Sequence, residues 1–159
     1  MKLFRSCLLL VAAVAALPAA AADGADGTQL VAAAVSGRAF EVRDLLAEGA
    51  DANTKNAGGR PVIVLAGFNG NLRTVRALLA AGADVNAVDA NGTSALIAAS
   101  ALGHADVVDL LLATGADANL KDSAGKSALA RATLRGHTRI VDALKAAGAV
   151  EDDTAAAKN

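Results

Sequence analysis

The stretch Asp89–Asn119, DANGTSALIAASALGHADVVDLLLATGADAN, decides how this chain of 159 residues folds. It contains two short apolar segments, at 94–102 and 105–114, which are separated by Gly103 and followed by Gly115. The second segment has apolar residues at the spacing of one helix face: Val107, Val108, Leu111 and Leu112. The stretch therefore predicts two helices with a glycine break between them, and Gly115 as a left-handed stop.

The same pattern recurs every 33 residues along the chain. Gly-Ala-Asp begins at Gly49, Gly82 and Gly115, and Gly-Ala-Val begins at Gly148. A hydroxyl residue begins the first apolar segment in three units, and these residues are the expected helix N-caps: Thr28, Ser94 and Ser127. One helix pair cannot bury its apolar face alone, so a fixed period of this length indicates stacked units.

The repeated unit resembles the ankyrin repeat, whose pattern is D-x-x-G-x-T-P-L-H-x-A-A-x-x-G-H-x-x-V-V-x-L-L-x-x-G-A-D-x-N. Asp89–Asn119 matches this pattern closely, although Ser94-Ala95 replaces Thr-Pro and Ile97 replaces the first His. The resemblance covers about residues 23–153. It implies an all-α ankyrin-repeat solenoid of four stacked helix-turn-helix units with β-turn fingers. We place the units at about 23–55, 56–88, 89–121 and 122–153, followed by a disordered tail at 154–159.

Residues 1–22 have the layout of a signal peptide. Lys2 and Arg5 form a positive start, and an apolar run at 7–17 precedes a series of small residues. That run is shorter than the ~20 residues of a membrane-spanning helix. The order of the zones also argues against the alternative of an N-terminal helix buried in the fold. We predict cleavage after Ala22 or, almost equally, after Ala21.

Removal of this segment changes the charge and the cysteine content of the chain. Cys7 is the single cysteine, so the mature protein holds neither a disulfide nor a cysteine-ligated metal. Without Lys2 and Arg5, 13 Lys and Arg remain against 16 Asp and Glu, a net charge of −3. No basic run or aromatic platform favours nucleic acid. We expect a monomeric protein, exported to the bacterial periplasm or secreted, without membrane insertion after signal cleavage.

His104 and the aspartates that follow it resemble a reactive cluster, because His and carboxylates bind metals and transfer protons. The equivalent residue of the next unit is His137, which lies one helix-packing distance of about 10 Å away. The two side chains are therefore too far apart to share a metal ion, whose bonds are about 2 Å long. We interpret His104 as scaffold, and Asp106 and Asp109 as solvated residues at a helix start.

Asp117 recurs as Asp51 and Asp84, so we assign it to the repeat and not to a site. A catalytic constellation breaks a repeat, and no such break brings a nucleophile, a base and oxyanion donors together. The glycine-containing turns also lack the spacing of a phosphate-binding loop. We therefore expect no enzyme activity, no metal and no cofactor.

The fourth unit carries charge where other units are apolar. Arg131 takes the position of Leu65, and Lys145 takes the position of Leu112. Charge on a surface that would face a further unit is typical of a capping unit. We therefore expect the fourth unit to end the stack and to shield the apolar face of the third.

Protein binding is the function that remains, and the resemblance implies that partners contact the fingers and the exposed side of the first helices. The chain has five cations, three large apolar residues and no acid at these positions: Lys55, Arg60, Phe68, Asn69, Val88, Asn91, Thr93, Ala101, Leu102, Lys121, Lys126, Leu134 and Arg135. We expect a locally positive face that binds an acidic protein surface, with Phe68, Leu102 and Leu134 as anchors. The alternative is that these three side chains only fill gaps between helices.

The sequence thus predicts a non-catalytic protein–protein interaction module in the bacterial cell envelope. Two other functions share the same fold and stay open. One is a secreted, effector-like protein that engages a host protein. The other is an accessory protein that docks on or protects a periplasmic enzyme.

Overall fold

The computed structural model describes residues 25–151, which form eight helices in four consecutive pairs. The first helices of the pairs are α1 (Ala25–Val35), α3 (Val62–Phe68), α5 (Ala95–Leu102) and α7 (Ala128–Arg135). The second helices are α2 (Ala39–Ala47), α4 (Leu72–Ala80), α6 (Ala105–Ala113) and α8 (Thr138–Ala146). First helices contact first helices of the adjacent units, and second helices contact second helices. The expected all-α solenoid is confirmed.

The predicted signal peptide at 1–22 and the predicted disordered tail at 154–159 lie outside the described residues. Among the eight helices of residues 25–151, none is long and apolar enough to span a bilayer.

The core consists of equivalent apolar side chains that stack from unit to unit. Leucine or isoleucine occupies one such position in every first helix, and each side chain is at most 2% exposed: Leu30, Ile63, Leu96 and Leu129. A second column of leucines runs through the second helices: Leu45, Leu78, Leu111 and Leu144. Burial of one such side chain stabilises the fold by about 1.5–3 kcal/mol. Because each column needs the adjacent unit to cover it, packing between units supplies much of the stability.

Serine hydroxyls begin two of the first helices. Oγ of Ser94 accepts a hydrogen bond of 3.2 Å from the backbone N–H of Ile97, and Ser127 caps α7 in the same way. Both expected caps are confirmed. The expectation for Thr28 is wrong, because α1 already begins at Ala25 and Thr28 lies inside it. Asp26 stands where the other units have a finger glycine, so no glycine turn interrupts the helix before Thr28.

Side chains of each unit pack on a glycine of the preceding unit. Gly70 and Gly103 have φ angles of +69° and +82°, a region that favours glycine. A Cβ at Gly70 would lie 2.6 Å from Nδ1 of His104, and one at Gly103 would lie 2.8 Å from Cε1 of His137. Nε2 of His104 also lies 3.0 Å from the carbonyl oxygen of Phe68. These contacts support the interpretation of His104 as scaffold.

An asparagine in each Gly-Ala-Asp-x-Asn segment ties its unit to the next. Its Oδ1 accepts a hydrogen bond of 2.8 Å from a backbone N–H 31 residues further along: Asn53 from Asp84, Asn86 from Asp117, and Asn119 from Val150. The aspartates of the segment in turn accept from the N–H of that asparagine at 2.8–2.9 Å. The recurring aspartates, Asp117 included, therefore belong to the scaffold.

The two ends of the stack are polar. In the first unit, Glu41 is half-buried at the position where Thr74, Val107 and Ile140 are buried in the other units. In the fourth unit, Lys145 is exposed and lies 2.9 Å from Glu151. The sequence interpretation recognised only the second of these two ends.

Candidate partner-binding groove

Three β-turn fingers connect the four helix pairs of the described chain, as expected. Each is closed at its base by a backbone β-bridge: Lys55 with Pro61, Val88 with Ser94, and Lys121 with Ser127. We name them finger I (50–61), finger II (83–94) and finger III (116–127). Fingers II and III also touch each other, because the N–H of Ser123 donates a hydrogen bond of 2.8 Å to the carbonyl oxygen of Asn91.

An acid or an amide organises the turn of each finger. Oδ1 of Asn56, Asp89 and Asp122 accepts two backbone N–H groups each, at 2.9–3.0 Å. A carboxylate has a second oxygen that can accept further hydrogen bonds, whereas an amide has an N–H group in its place. Fingers II and III therefore retain an acceptor that finger I lacks.

Arginine side chains occupy both of these acceptors. Nε of Arg60, in finger I, lies 3.1 Å from Oδ2 of Asp89 in finger II. Arg131, in α7, donates to Oδ2 of Asp122 from Nε at 3.0 Å and also from a terminal nitrogen. The side chains of Asp89 and Asp122 are 5% and 4% exposed, whereas those of Arg60 and Arg131 are 38% and 35% exposed. The acids are thus covered, whereas the arginine side chains that contact them are partly exposed.

The surroundings of the two carboxyl groups favour their charged form. Burial raises the pKa of Asp89, but hydrogen bonds from the N–H groups of Thr93 and Asn91, together with Arg60, outweigh it and lower the pKa below the ordinary value. Burial likewise raises the pKa of Asp122, and Arg131 with two backbone N–H groups lowers it by more. Both groups are therefore anionic at neutral pH.

A groove of about 230 Å³ runs between the fingers and the first helices. Six of the predicted site residues line it: Arg60, Phe68, Thr93, Ala101, Leu102 and Arg135. Sequence reasoning missed six others: Val64, Asp89, Ile97, Ala98, Asp122 and Arg131. The remaining predicted residues do not line this groove and lie on the fingers or at the ends of first helices: Lys55, Asn69, Val88, Asn91, Lys121, Lys126 and Leu134.

Two expectations about this face are wrong. It is not free of acids, because Asp89 and Asp122 line the groove. Arg131 does not mark the outer surface of the last unit, since its guanidinium turns back to Asp122 and lines the groove as well. Asp122 lies nine residues before Arg131 in the sequence, but this spacing alone did not indicate the pair, because the two side chains come together only in the folded unit.

Apolar side chains lie at the ends of the four first helices, and those of Phe68, Ala101 and Leu102 line the groove. Val35, Phe68 and Leu134 occupy equivalent positions in three units and are 45%, 48% and 76% exposed, and Ala101 is their half-buried counterpart in the remaining unit. Leu102, one position further along, is 39% exposed. We call Val35, Phe68, Ala101, Leu102 and Leu134 the apolar row. Exposure of this extent argues against the alternative that these side chains only fill gaps between helices.

His104, Asp106 and Asp109, which resembled a reactive cluster in the sequence, make separate contacts in the structure. Asp106 and Asp109 are exposed on α6, where Arg139 of α8 lies 3.5 Å and 2.9 Å from their carboxylates. His104 instead contacts the preceding unit. Between residues 25 and 151, no group of three or more His, Cys, Asp or Glu side chains is placed to hold a metal ion.

Comparison with known proteins agrees with this geometry. A family model described as ankyrin repeats (3 copies) matches residues 29–122 and 63–155. No curated protein matches the chain. The family match covers most of the chain and includes all three fingers and most of the four helix pairs, so the chain belongs to the ankyrin-repeat family.

Proposed function

We propose that this protein is a non-catalytic protein-binding module of the bacterial cell envelope, and that it captures a partner with an acidic surface. Ankyrin repeats are in general protein–protein interaction modules and are typically non-enzymatic. The observation that carries the proposal is that Phe68, Ala101 and Leu102 of the apolar row line one groove together with Arg60 and Arg131.

This arrangement suits an interface for a physical reason. Apolar anchors in the middle of an interface supply binding energy when a partner removes them from water, and a polar rim provides orientation. Complete burial of an aromatic or leucine side chain gives about 1.5–3 kcal/mol. Phe68 and Leu102 are about half to two-thirds covered already, so we expect each to contribute roughly 1 kcal/mol to binding.

Affinity capture tests the proposal. The purified protein is immobilised and exposed to an envelope fraction, and it is compared with a Phe68→Ala, Leu102→Ala double variant. The matched control is Phe40→Ala, because Phe40 is 74% exposed but lies on α2 in the second-helix layer. We expect a partner that the protein and the control retain and the double variant loses. Equal retention by all three would exclude the groove as the binding face.

Export to the periplasm is a separate part of the proposal, and the zones of residues 1–22 support it. Osmotic-shock fractionation of cells that produce the full chain tests it. We expect a shortened protein in the periplasmic fraction. A full-length protein in the cytoplasm would contradict export, and a shortened protein in the medium would favour the secreted alternative.

A further inference from the structure

Two arginines in the groove are held in place by covered carboxylates. Arg60 rests on Asp89 and Arg131 rests on Asp122, and the two aspartates occupy equivalent positions of adjacent fingers. Adjacent units of this stack are separated by the helix-packing distance of about 10 Å. The two guanidinium groups therefore form a pair of fixed donors about one repeat apart on the same wall.

Each guanidinium retains donors for a ligand. A guanidinium has N–H groups on three nitrogens, arranged in a planar fork that matches a carboxylate. Within residues 25–151, Arg60 donates to Asp89 from Nε alone, and Arg131 donates to Asp122 from Nε and one terminal nitrogen. Because the aspartates already orient both side chains, little further side-chain entropy is lost when a second acceptor arrives.

The charge that a ligand meets here is positive. The carboxylates of Asp89 and Asp122 are almost completely covered, whereas the arginines above them are about one-third exposed. Arg135 adds a further exposed cation to the same groove. An incoming anion therefore approaches guanidinium groups more closely than it approaches either aspartate.

Apart from Thr93, the rest of the groove wall is apolar. Val64, Phe68, Ile97, Ala98, Ala101 and Leu102 line it on the side of the first helices. Such a wall favours aliphatic side chains and offers nothing to a sugar–phosphate backbone, which needs a cationic track and stacking platforms. A ligand that fits both sides must combine carboxylates with apolar groups.

We infer that the groove recognises a peptide segment of the partner in which apolar residues are flanked by two carboxylates about 10 Å apart, one for Arg60 and one for Arg131. This inference rests on the proposed function and adds the chemistry of the recognised segment. The proposed function requires only that a positive face attracts an acidic surface. The inference requires in addition that two positioned arginines each bind a carboxylate through two N–H groups.

Selection from a phage-displayed library of random dodecapeptides tests the inference. The bait is the purified protein, in parallel with an Arg60→Lys, Arg131→Lys variant, which keeps both charges but lacks the planar fork. The matched control is Arg43→Lys, Arg76→Lys, because both of these arginines are exposed on second helices. Thermal unfolding of all three baits verifies that they are folded.

We expect peptides rich in aspartate or glutamate next to leucine, isoleucine or phenylalanine. Replacement of their acids by the corresponding amides should weaken binding about tenfold or more, and the Arg60→Lys, Arg131→Lys variant should show a similar loss. The control should bind as the unaltered protein does. Failure to select any peptide, absence of acidic enrichment, or equal binding by the Lys variant would overturn the inference.

The Phe68→Ala, Leu102→Ala variant separates this inference from the proposed function. Peptides that lose affinity for that variant but bind the Arg60→Lys, Arg131→Lys variant normally would leave the groove as the binding face and refute only the carboxylate pair. Peptides that bind both variants as well as the unaltered protein would refute the inference and would also count against the groove.

Discussion

Thr74 is buried in α4, and its hydroxyl has no hydrogen-bond partner within the described structure. Val107 takes the equivalent position in the next unit and is equally buried. Because an unsatisfied buried hydroxyl costs free energy and a methyl group of similar size does not, Thr74→Val should stabilise the protein by about 1 kcal/mol. Urea unfolding followed by circular dichroism measures the change. The reverse substitution, Val107→Thr, should destabilise, and a neutral result for both would contradict the assignment.

Gly70 combines a positive φ with a close contact, and Gly136 offers the matched control. Gly136 has a φ of +73° and no atom within 4 Å of the place that a Cβ would take, whereas a Cβ at Gly70 meets the ring of His104. Gly136→Ala should cost only the left-handed penalty of about 1–2 kcal/mol. Gly70→Ala should cost roughly 1 kcal/mol more, because the ring must move away.

A double-mutant cycle isolates that contact. When Gly70→Ala is combined with His104→Ala, the additional cost should disappear, and the coupling is read from urea-unfolding free energies. Additive effects would mean that His104 does not pack on Gly70. Gly70 and Gly136 lie 33 residues on either side of the glycine break at Gly103, so the repeat accounts for a glycine at both positions. The repeat did not show that a side chain of the next unit packs on Gly70.

At the residue scale the sequence was informative where a single local contact decides the outcome. Ser94 and Ser127 were identified as caps because an N-cap requires only a hydroxyl and the next three residues. The cap prediction for Thr28 was wrong because the start of a first helix also depends on whether a finger ends just before that helix. The direction of the Arg131 side chain could not be predicted, since it depends on an acid nine residues earlier that lies close only after folding.

At the scale of the elements, the fingers depend on Asn56, Asp89 and Asp122, each of which accepts two backbone N–H groups. Every unit begins with an acid or an amide in the sequence, but the sequence did not show that this side chain accepts the backbone N–H groups of the finger turn. It also gave no sign that two of the acids support the arginines of the groove. The repeated pattern predicted the helices and fingers. The candidate groove depends on Arg60 and Arg131, which are not repeated in the other units.

Asp89→Asn tests the link between finger II and the groove. Asn56 shows that an amide can accept the two backbone N–H groups, so the variant should lose mainly the contact with Arg60. Because Arg60 is partly exposed, we expect a loss of about 1 kcal/mol at neutral pH. Chemical unfolding at several pH values measures it.

The pH dependence of that loss has a definite sign. The pKa of Asp89 is lowered from 3.8 in the folded protein, so its charge stabilises the fold above that value and the contribution disappears as the pH falls through the folded-state pKa. The stability difference between the protein and Asp89→Asn should therefore be constant from neutral pH to about 5 and vanish in strong acid. A difference that persists unchanged in acid would contradict the ion pair.

At the scale of the whole molecule, the four helix pairs form one stack in which each unit covers the next. The sequence predicted this architecture almost completely, because a period of 33 residues constrains every unit at once. The sequence analysis did not recognise the polar outer face of the first unit. Its marker is Glu41, and the equivalent residues of the other units are seen to be buried only in the folded stack.

Deletion of residues 123–159 tests the capping role of the fourth unit. The deletion removes α7 and α8 and uncovers apolar residues of α5 and α6 such as Leu96, Val108 and Leu111, which are at most 1% exposed in the stack. We expect a lower melting temperature and aggregation, measured by calorimetry and light scattering. Deletion of residues 154–159 is the control and should change neither. A soluble truncated protein with an unchanged melting temperature would contradict the capping role.

The most direct test of the central claim, that the groove face binds a partner protein, is site-specific photo-crosslinking in cells. A benzophenone amino acid is introduced at Phe68 or Leu102 in the groove, or at Phe40 on α2. We predict that illumination joins the same partner to the protein from positions 68 and 102 and not from position 40. A partner crosslinked from position 40 with none from 68 or 102 would contradict the claim.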